Sequence, residues 1–194
     1  MKLILASASP QRKVLLEALG LKFEVIPSGI EEDDHPEPDP ANRARDLAWL
    51  KASDISKKNP GSIVIGCDTL VVADDGTLLE KAKTVDAARR MIEKQSGRTS
   101  LVHSALCVID LKGKLHEGIS SSKVFFKKLS DQEIDWWIGT GQWRDRSGSF
   151  QIDGLGQLMI ERIEGDYTGI VGLPVYLLGK LLTEAGYPLG KIDN

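Results

Sequence analysis

The sequence predicts a mixed α/β fold, and three observations carry that expectation. Strand and helix patterns alternate from the start, with residues 3–5 followed by a helix that Pro10 opens. Residues 62–73, SIVIGCDTLVVA, form the most apolar strand pattern and belong at the centre of a sheet. Residues 99–109 and 114–126 read as two long strands joined at 110–113, a β-hairpin inside an otherwise alternating chain. No internal repeat, low-complexity tract or linker divides the 194 residues, so 1–194 is read as one domain.

The elements follow in order. Residues 3–5 are a short buried strand and residues 6–9 a turn of small residues. Pro10 suits the first helical position, with Ser9 as its N-cap. Leu15, Leu16 and Leu19 form the helix's apolar face, three, four and seven residues after Arg12, and Gly20 ends it. Residues 22–26 make a second strand. Residues 27–40 are a loop with the acidic run Glu31-Glu32-Asp33-Asp34, then alternating prolines. Residues 41–58 make a helix with Ala44, Leu47, Ala48, Ala52 and Ile55 inward, and Pro60-Gly61 breaks the chain before the central strand. Asp74-Asp75-Gly76 is a turn leading through Leu78 and Leu79 to Glu80-Lys81-Ala82-Lys83.

Thr84 caps a helix that runs to Gln95, with Val85, Ala88 and Ile92 inward. After the hairpin, Ser130 caps a helix over 131–139 whose Trp136 and Trp137 pack against the sheet. Residues 140–156 are a glycine-rich loop, which allows a close backbone approach to a ligand or serves as a plain connection. Residues 157–163 form the last strand, 166–172 a turn, and Pro174 begins a final helix that ends near Gly186.

Composition narrows the function. A hydrophobic content of 41% with 27% charge is that of a soluble globular protein. The net charge of −3 argues against a nucleic-acid polymer as partner, though local cations suffice to hold a single nucleotide. Cys67 and Cys107 lie inside apolar strand patterns as core thiols, with no zinc spacing. With no signal peptide and no apolar run of spanning length, a cytoplasmic protein without membrane contact is expected.

Three polar residues sit on apolar faces. Arg12 heads its helix's buried stripe beside a helix N-terminus and serine hydroxyls, which suits a phosphate site or a plain pair with a carboxylate. Lys51 fills a position of the buried stripe of its helix, where it snorkels, pairs or meets a ligand. Asp68 interrupts the central strand, where it satisfies backbone N–H groups, pairs, binds metal or serves as a general base. The acidic run is solvated surface, or part of it faces phosphate-binding cations and holds a divalent metal.

Four collinear segments carry a resemblance to the Maf family of nucleoside triphosphate pyrophosphatases. They are Ser7–Leu16 (SASPQRKVLL, beside the family's LASxSPRRxxLL), the Glu31-Glu32 pair, Cys67-Asp68-Thr69, and residues 147–174 with SGSFQIDGLG and GDYTGIVGLP. The resemblance implies an elongated mixed β-sheet flanked by helices, with two lobes around a central cleft. It also implies hydrolysis between the α and β phosphates of a nucleoside triphosphate with Mg²⁺ or Mn²⁺ as cofactor. Carried over, Ser7 and Arg12 grip phosphate, Lys51 and Lys81 neutralise it, Glu32 and Asp68 hold metal, and Asp68 activates water. A homodimer is what the family often shows.

Three positions depart from the pyrimidine-directed pattern: Gln11 for an arginine, Ala82 for a proline, and Asp153 for the glutamine of IQG. Ser149-Phe150 and Asp153-Gly154-Leu155-Gly156 resemble the branch that acts on 7-methyl-GTP, whereas Asp166-Tyr167-Thr168 resembles the pyrimidine branch. Asp153 is therefore read as a substrate-binding residue that favours a modified or purine nucleotide over UTP or dTTP. The alternative function is a nucleotide-binding regulator of septum formation with little turnover.

Overall fold

The computed structural model describes residues 1–32 and 35–190. Asp33 and Asp34 of the acidic run lie outside the described residues. The elements are β1 (Lys2–Leu5), α1 (Pro10–Ala18), β2 (Glu24–Val25), α2 (Pro40–Lys58), β3 (Ser62–Val72), β4 (Leu78–Leu79) and α3 (Val85–Gln95). They continue with β5 (Thr99–Ile109), β6 (Leu115–Phe126), α4 (Asp131–Thr140), a 3-10 helix over Gly154–Met159, β7 (Ile160–Glu164), α5 (Tyr167–Val171) and α6 (Val175–Glu184). The seven strands form one mixed sheet in the order β2-β1-β3-β5-β6-β7, with β4 on β3. β1 runs parallel to β2 and β3, whereas β4 and β7 pair antiparallel with β3 and β6. The expected α/β class and the interior place of the most apolar strand are both found.

The chain divides into two compact units, and β3, β5 and β6 each supply residues to both. The first unit holds Met1–Asp68, Ser104–Ser120 and Gly172–Asn194. Its core is built from Leu3, Leu5, Ile63, Ile65 and Cys67 of the parallel strands, with Leu16 of α1 and Leu178, Leu181 and Leu182 of α6. The second unit, Thr69–His103 and Ser121–Val171, packs Val71, Ile92, Val124, Phe126, Trp137 and Phe150. Phe126 and Phe150 meet edge to face there, with ring centroids 5.1 Å apart.

Alternation along β3 sorts its two faces. Ile63, Ile65 and Cys67 point into the first unit's leucine core, so Gly66 and Asp68 point the other way, toward α2. A Cβ at Gly66 would lie 2.1 Å from the Ala48 carbonyl oxygen and 2.8 Å from the Ala52 nitrogen. The absence of a side chain at that one position brings the backbone of α2 onto the strand.

Several boundaries differ from expectation. β2 is only Glu24–Val25, and Leu19, the C-cap of α1, is exposed rather than part of a buried stripe. Val85 is exposed at the first turn of α3, where the helix end clears the core. Trp137 is fully buried, but Trp136, one residue round the helix, is exposed. Residues 157–159 belong to the 3-10 helix, because Gly154 (φ +59°) curls the chain before β7 begins at Ile160. Residues 167–171 are helical, since the Asp166 carboxylate accepts from Thr168 N at 2.9 Å and Thr168 Oγ1 at 2.7 Å and starts the turn.

Two outcomes follow. Gly66→Ala is expected to lower stability by about 1–3 kcal/mol through overpacking against α2, read as a drop in the urea midpoint; an unchanged midpoint refutes the contact. The Cys107 thiol is pushed up to about 12 from 9.0 by burial, with Glu117's charge acting in the same direction. A pKa raised on folding gives stability fully present below the ordinary value and lost as pH climbs through the folded one. Urea midpoints taken upward from pH 9 should therefore fall less steeply in Cys107→Ala than in the wild type.

Candidate active site

The candidate site forms where the parallel strands β1 and β3 end, the end of such sheets where ligands collect. Leu5 is level with Ile65, and Ala6 N donates to Ile65 O at 2.8 Å, so Ser7 leaves its strand beside Cys67 and Asp68. From Ser7 the chain turns into α1. Ser9 caps that helix, its side chain accepting from Arg12 N, and Pro10 stands at its start. Gln11, one of the three departures, accepts a hydrogen bond from Ser9 Oγ at 3.3 Å and so braces the cap.

Arg12 is tied at two points. Nη1 donates to Ser7 Oγ at 3.0 Å, and Nε donates to the Gly172 carbonyl at 2.9 Å. Ser7 Oγ also accepts from Ser9 N at 3.2 Å. Cys67 Sγ donates to the same Gly172 carbonyl at 3.0 Å. The expectation that Arg12 faces inward is met, and its partners include a hydroxyl and a carbonyl.

On the other face of β3, the close approach of α2 places Lys51 against Asp68. The ammonium lies 2.6 Å from Asp68 Oδ1 and 2.9 Å from Glu32 Oε1. Lys51 and Asp68 are each only 4% exposed in their side chains, whereas Glu32 is 41% exposed. Glu32 is held in turn by Arg43 of α2, whose Nη2 donates to the Glu32 carbonyl at 3.1 Å. The other Asp68 oxygen, Oδ2, is buried and has no hydrogen-bond partner among the described residues. Burial pushes the Cys67 thiol up, and the charges of Arg12, Asp68 and Lys51 act on it, so the groups from both faces converge on this strand end.

Ser7, Arg12, Glu32, Lys51 and Asp68 thus gather in the first unit, while Lys81 and Asp153 lie in the second. Lys81 is exposed and bridges in antiparallel fashion to Ser147 of the glycine-rich loop. That loop is held from several sides. Gly148 N donates to Leu79 O at 2.8 Å, Gln95 Nε2 to Gly148 O at 2.7 Å, and Trp137 Nε1 to Ser149 O at 2.9 Å. Ser149 is fully buried in a left-handed conformation, φ +56°. Asp153 acts on Arg146, raising a pKa that burial otherwise lowers, and on Tyr167, whose pKa is raised first by burial. Ala82 is partly buried and packs against the second unit's core.

Residues 2–185 match the model of the Maf-like protein family. The chain belongs to that family. A dTTP/UTP pyrophosphatase of Pyrococcus furiosus is 40% identical over 193 residues, which cover 98% of each chain. A dTTP/UTP pyrophosphatase of Deinococcus radiodurans is 41% identical over 185 residues, 95% of this chain and 93% of its own. Among solved structures, a HAM1 protein from Coxiella burnetii aligns over 65% of this chain and 73% of its own, with 14% identity and a TM-score of 0.47.

Family membership raises the question of a metal. Among the described residues no group of three or more His, Cys, Asp and Glu could hold one. The donor set nevertheless fits a hard cation bound partly by substrate, because Mg²⁺ typically takes one or two carboxylates and completes its shell with phosphate oxygens and water. Asp68 Oδ2 is a buried carboxylate oxygen with its coordinating capacity unspent.

Sequence reasoning missed Gly66, Cys67 as a hydrogen-bond donor, Gly172 and Gln95. Only Gln95 left a trace, as a polar residue in the last turn of an amphipathic helix.

Removing one partner of a buried ion pair strands the other charge. Lys51→Met is expected to cost about 3–5 kcal/mol in urea unfolding, and Lys51→Met combined with Asp68→Asn to recover part of that loss. Additive losses in the double variant would show that the pair is not coupled.

Proposed function

We propose that this chain hydrolyses the bond between the α and β phosphates of a nucleoside triphosphate, giving a nucleoside monophosphate and pyrophosphate. The observation that carries the reading is the buried Lys51 ammonium held between Asp68 and Glu32, beside Arg12 tied to Ser7. A positive charge kept in a buried, hydrogen-bonded frame is preorganised for charge that develops on a phosphoryl group. The relatives named dTTP/UTP pyrophosphatase, about 40% identical over nearly their whole lengths, support the same reaction class.

In this reading Ser7 and Arg12 grip phosphate, and Lys51 and Lys81 offset its charge. The Asp68 carboxylate takes a proton from water as the water oxygen bonds to the α phosphorus. The α–β bridging P–O bond breaks, and pyrophosphate leaves with the electron pair. Asp68 and Glu32 would hold Mg²⁺ or Mn²⁺, which would supply further neutralisation of the phosphates when bound.

For the base, relatives that are dTTP/UTP pyrophosphatases favour a pyrimidine. A second reading, a modified or purine nucleotide, is favoured by the carboxylate of Asp153, which is charged and accepts at both oxygens where a glutamine amide presents one acceptor and one donor group. The charge of Asp153 already acts on Arg146, which weakens its pull on a cationic methylated base.

Pyrophosphate release from UTP, dTTP, CTP, GTP and 7-methyl-GTP, with and without Mg²⁺ or Mn²⁺, tests both parts. Metal-dependent release from UTP or dTTP is expected, abolished by chelation, and Asp68→Asn should lower kcat roughly 100- to 1000-fold while keeping the fold. Turnover of GTP or 7-methyl-GTP alone would establish the second base reading. Nucleotide binding without release from any member would overturn hydrolysis and leave a binding regulator.

A further inference from the structure

We propose that Cys67 is a positioning residue for Arg12, acting through the Gly172 carbonyl that both side chains share. Cys67 Sγ donates to that oxygen at 3.0 Å and Arg12 Nε donates to it at 2.9 Å. Cys67 is fully buried, on the face of β3 opposite Asp68, so the strand that carries the carboxylate also touches the arginine's anchor.

The carbonyl itself needs holding. Gly172 has φ +128°, a conformation that L side chains rarely adopt, and it lies in the short link between α5 and α6. A backbone oxygen with two lone pairs accepts two donors, and fixing one contact restricts the peptide plane for the other. The thiol is suited to this part because its S–H is a donor placed within reach of the carbonyl. Ser104 Oγ lies 4.0 Å from the same sulfur.

With Nε fixed on Gly172 O and Nη1 on Ser7 Oγ, the guanidinium plane is set before any ligand arrives. Such preorganisation lowers the cost of orienting a cation on a phosphate. Loss of the S–H should therefore appear in ligand affinity and transfer through Arg12 alone. This rests on the phosphate-binding reading of Arg12 given above.

The test has one arm that needs no substrate. In the ligand-free full-length protein, hydrogen exchange at Arg12 Nε–H, followed by NMR, should be faster in Cys67→Ala and return toward wild type in Cys67→Ser, which keeps a donor. Unchanged exchange in Cys67→Ala overturns the proposal whatever the enzyme does. The second arm measures KM in pyrophosphate release. Cys67→Ala should raise KM about 2- to 10-fold, the worth of one net hydrogen bond, with kcat within twofold of wild type. In an Arg12→Ala background the same substitution should change nothing further. An equal effect in both backgrounds shows a merely structural thiol and overturns the proposal. Wild-type protein without turnover overturns the hydrolysis reading and leaves the exchange arm to decide on Cys67.

Discussion

The site depends on a close contact that contains no functional group. Gly66 lets the backbone of α2 settle on β3, with Ala48 and Ala52 as the touching residues. Lys51 lies between those two alanines on the helix, so its ammonium is delivered to Asp68, two residues along the strand from Gly66. The pair would be costly to bury one member at a time, since each charge is almost wholly withdrawn from water. Placed at 2.6 Å, each compensates the other, and Glu32 adds a second carboxylate from the loop before α2. Local charge balance here is set by packing.

The opposite face of the same strand solves a different problem. Arg12 is oriented by contacts to a hydroxyl and a backbone carbonyl, Ser7 Oγ and Gly172 O. Those two contacts, from Nη1 and Nε, restrict the guanidinium plane. β3 thus meets Lys51 of α2 on one face and the tethered Arg12 of α1 on the other. Alternation of side chains along a strand makes that separation possible within two successive residues, Cys67 and Asp68.

Much of this was legible in the sequence. Apolar runs bounded by Gly and Pro placed the central strand, the hairpin and the principal helices, because burial and turn chemistry act locally. Arg12, Lys51 and Asp68 stood out as charged groups on apolar faces, and the coordinates bring all three to one strand end. What was not legible depended on distance between elements. Gly66 in a strand looks like a weak point until the Ala48 carbonyl is seen where its Cβ would be. Residues 166–172 read as a turn, because the single Asp166 cap that makes five of them helical has no periodic signal. Spacing alone puts Leu19 and Val85 in buried stripes, yet both are exposed because they lie at helix ends that run past the core.

The three departures from the family pattern also separate once their surroundings are known. Gln11 braces the N-cap serine, and Ala82 packs against the second unit's core, so both have structural employment where they stand. Neither needs to signal lost activity. Asp153 differs, because its charge acts on Arg146, beside that of Asp145, and on Tyr167, an influence that a neutral glutamine would remove. An exchange of amide for carboxylate there alters the electrostatics of a whole cluster. Of the three positions, Asp153 is the one that brings a charge the pattern lacks, which is why the proposed choice of base turns on it.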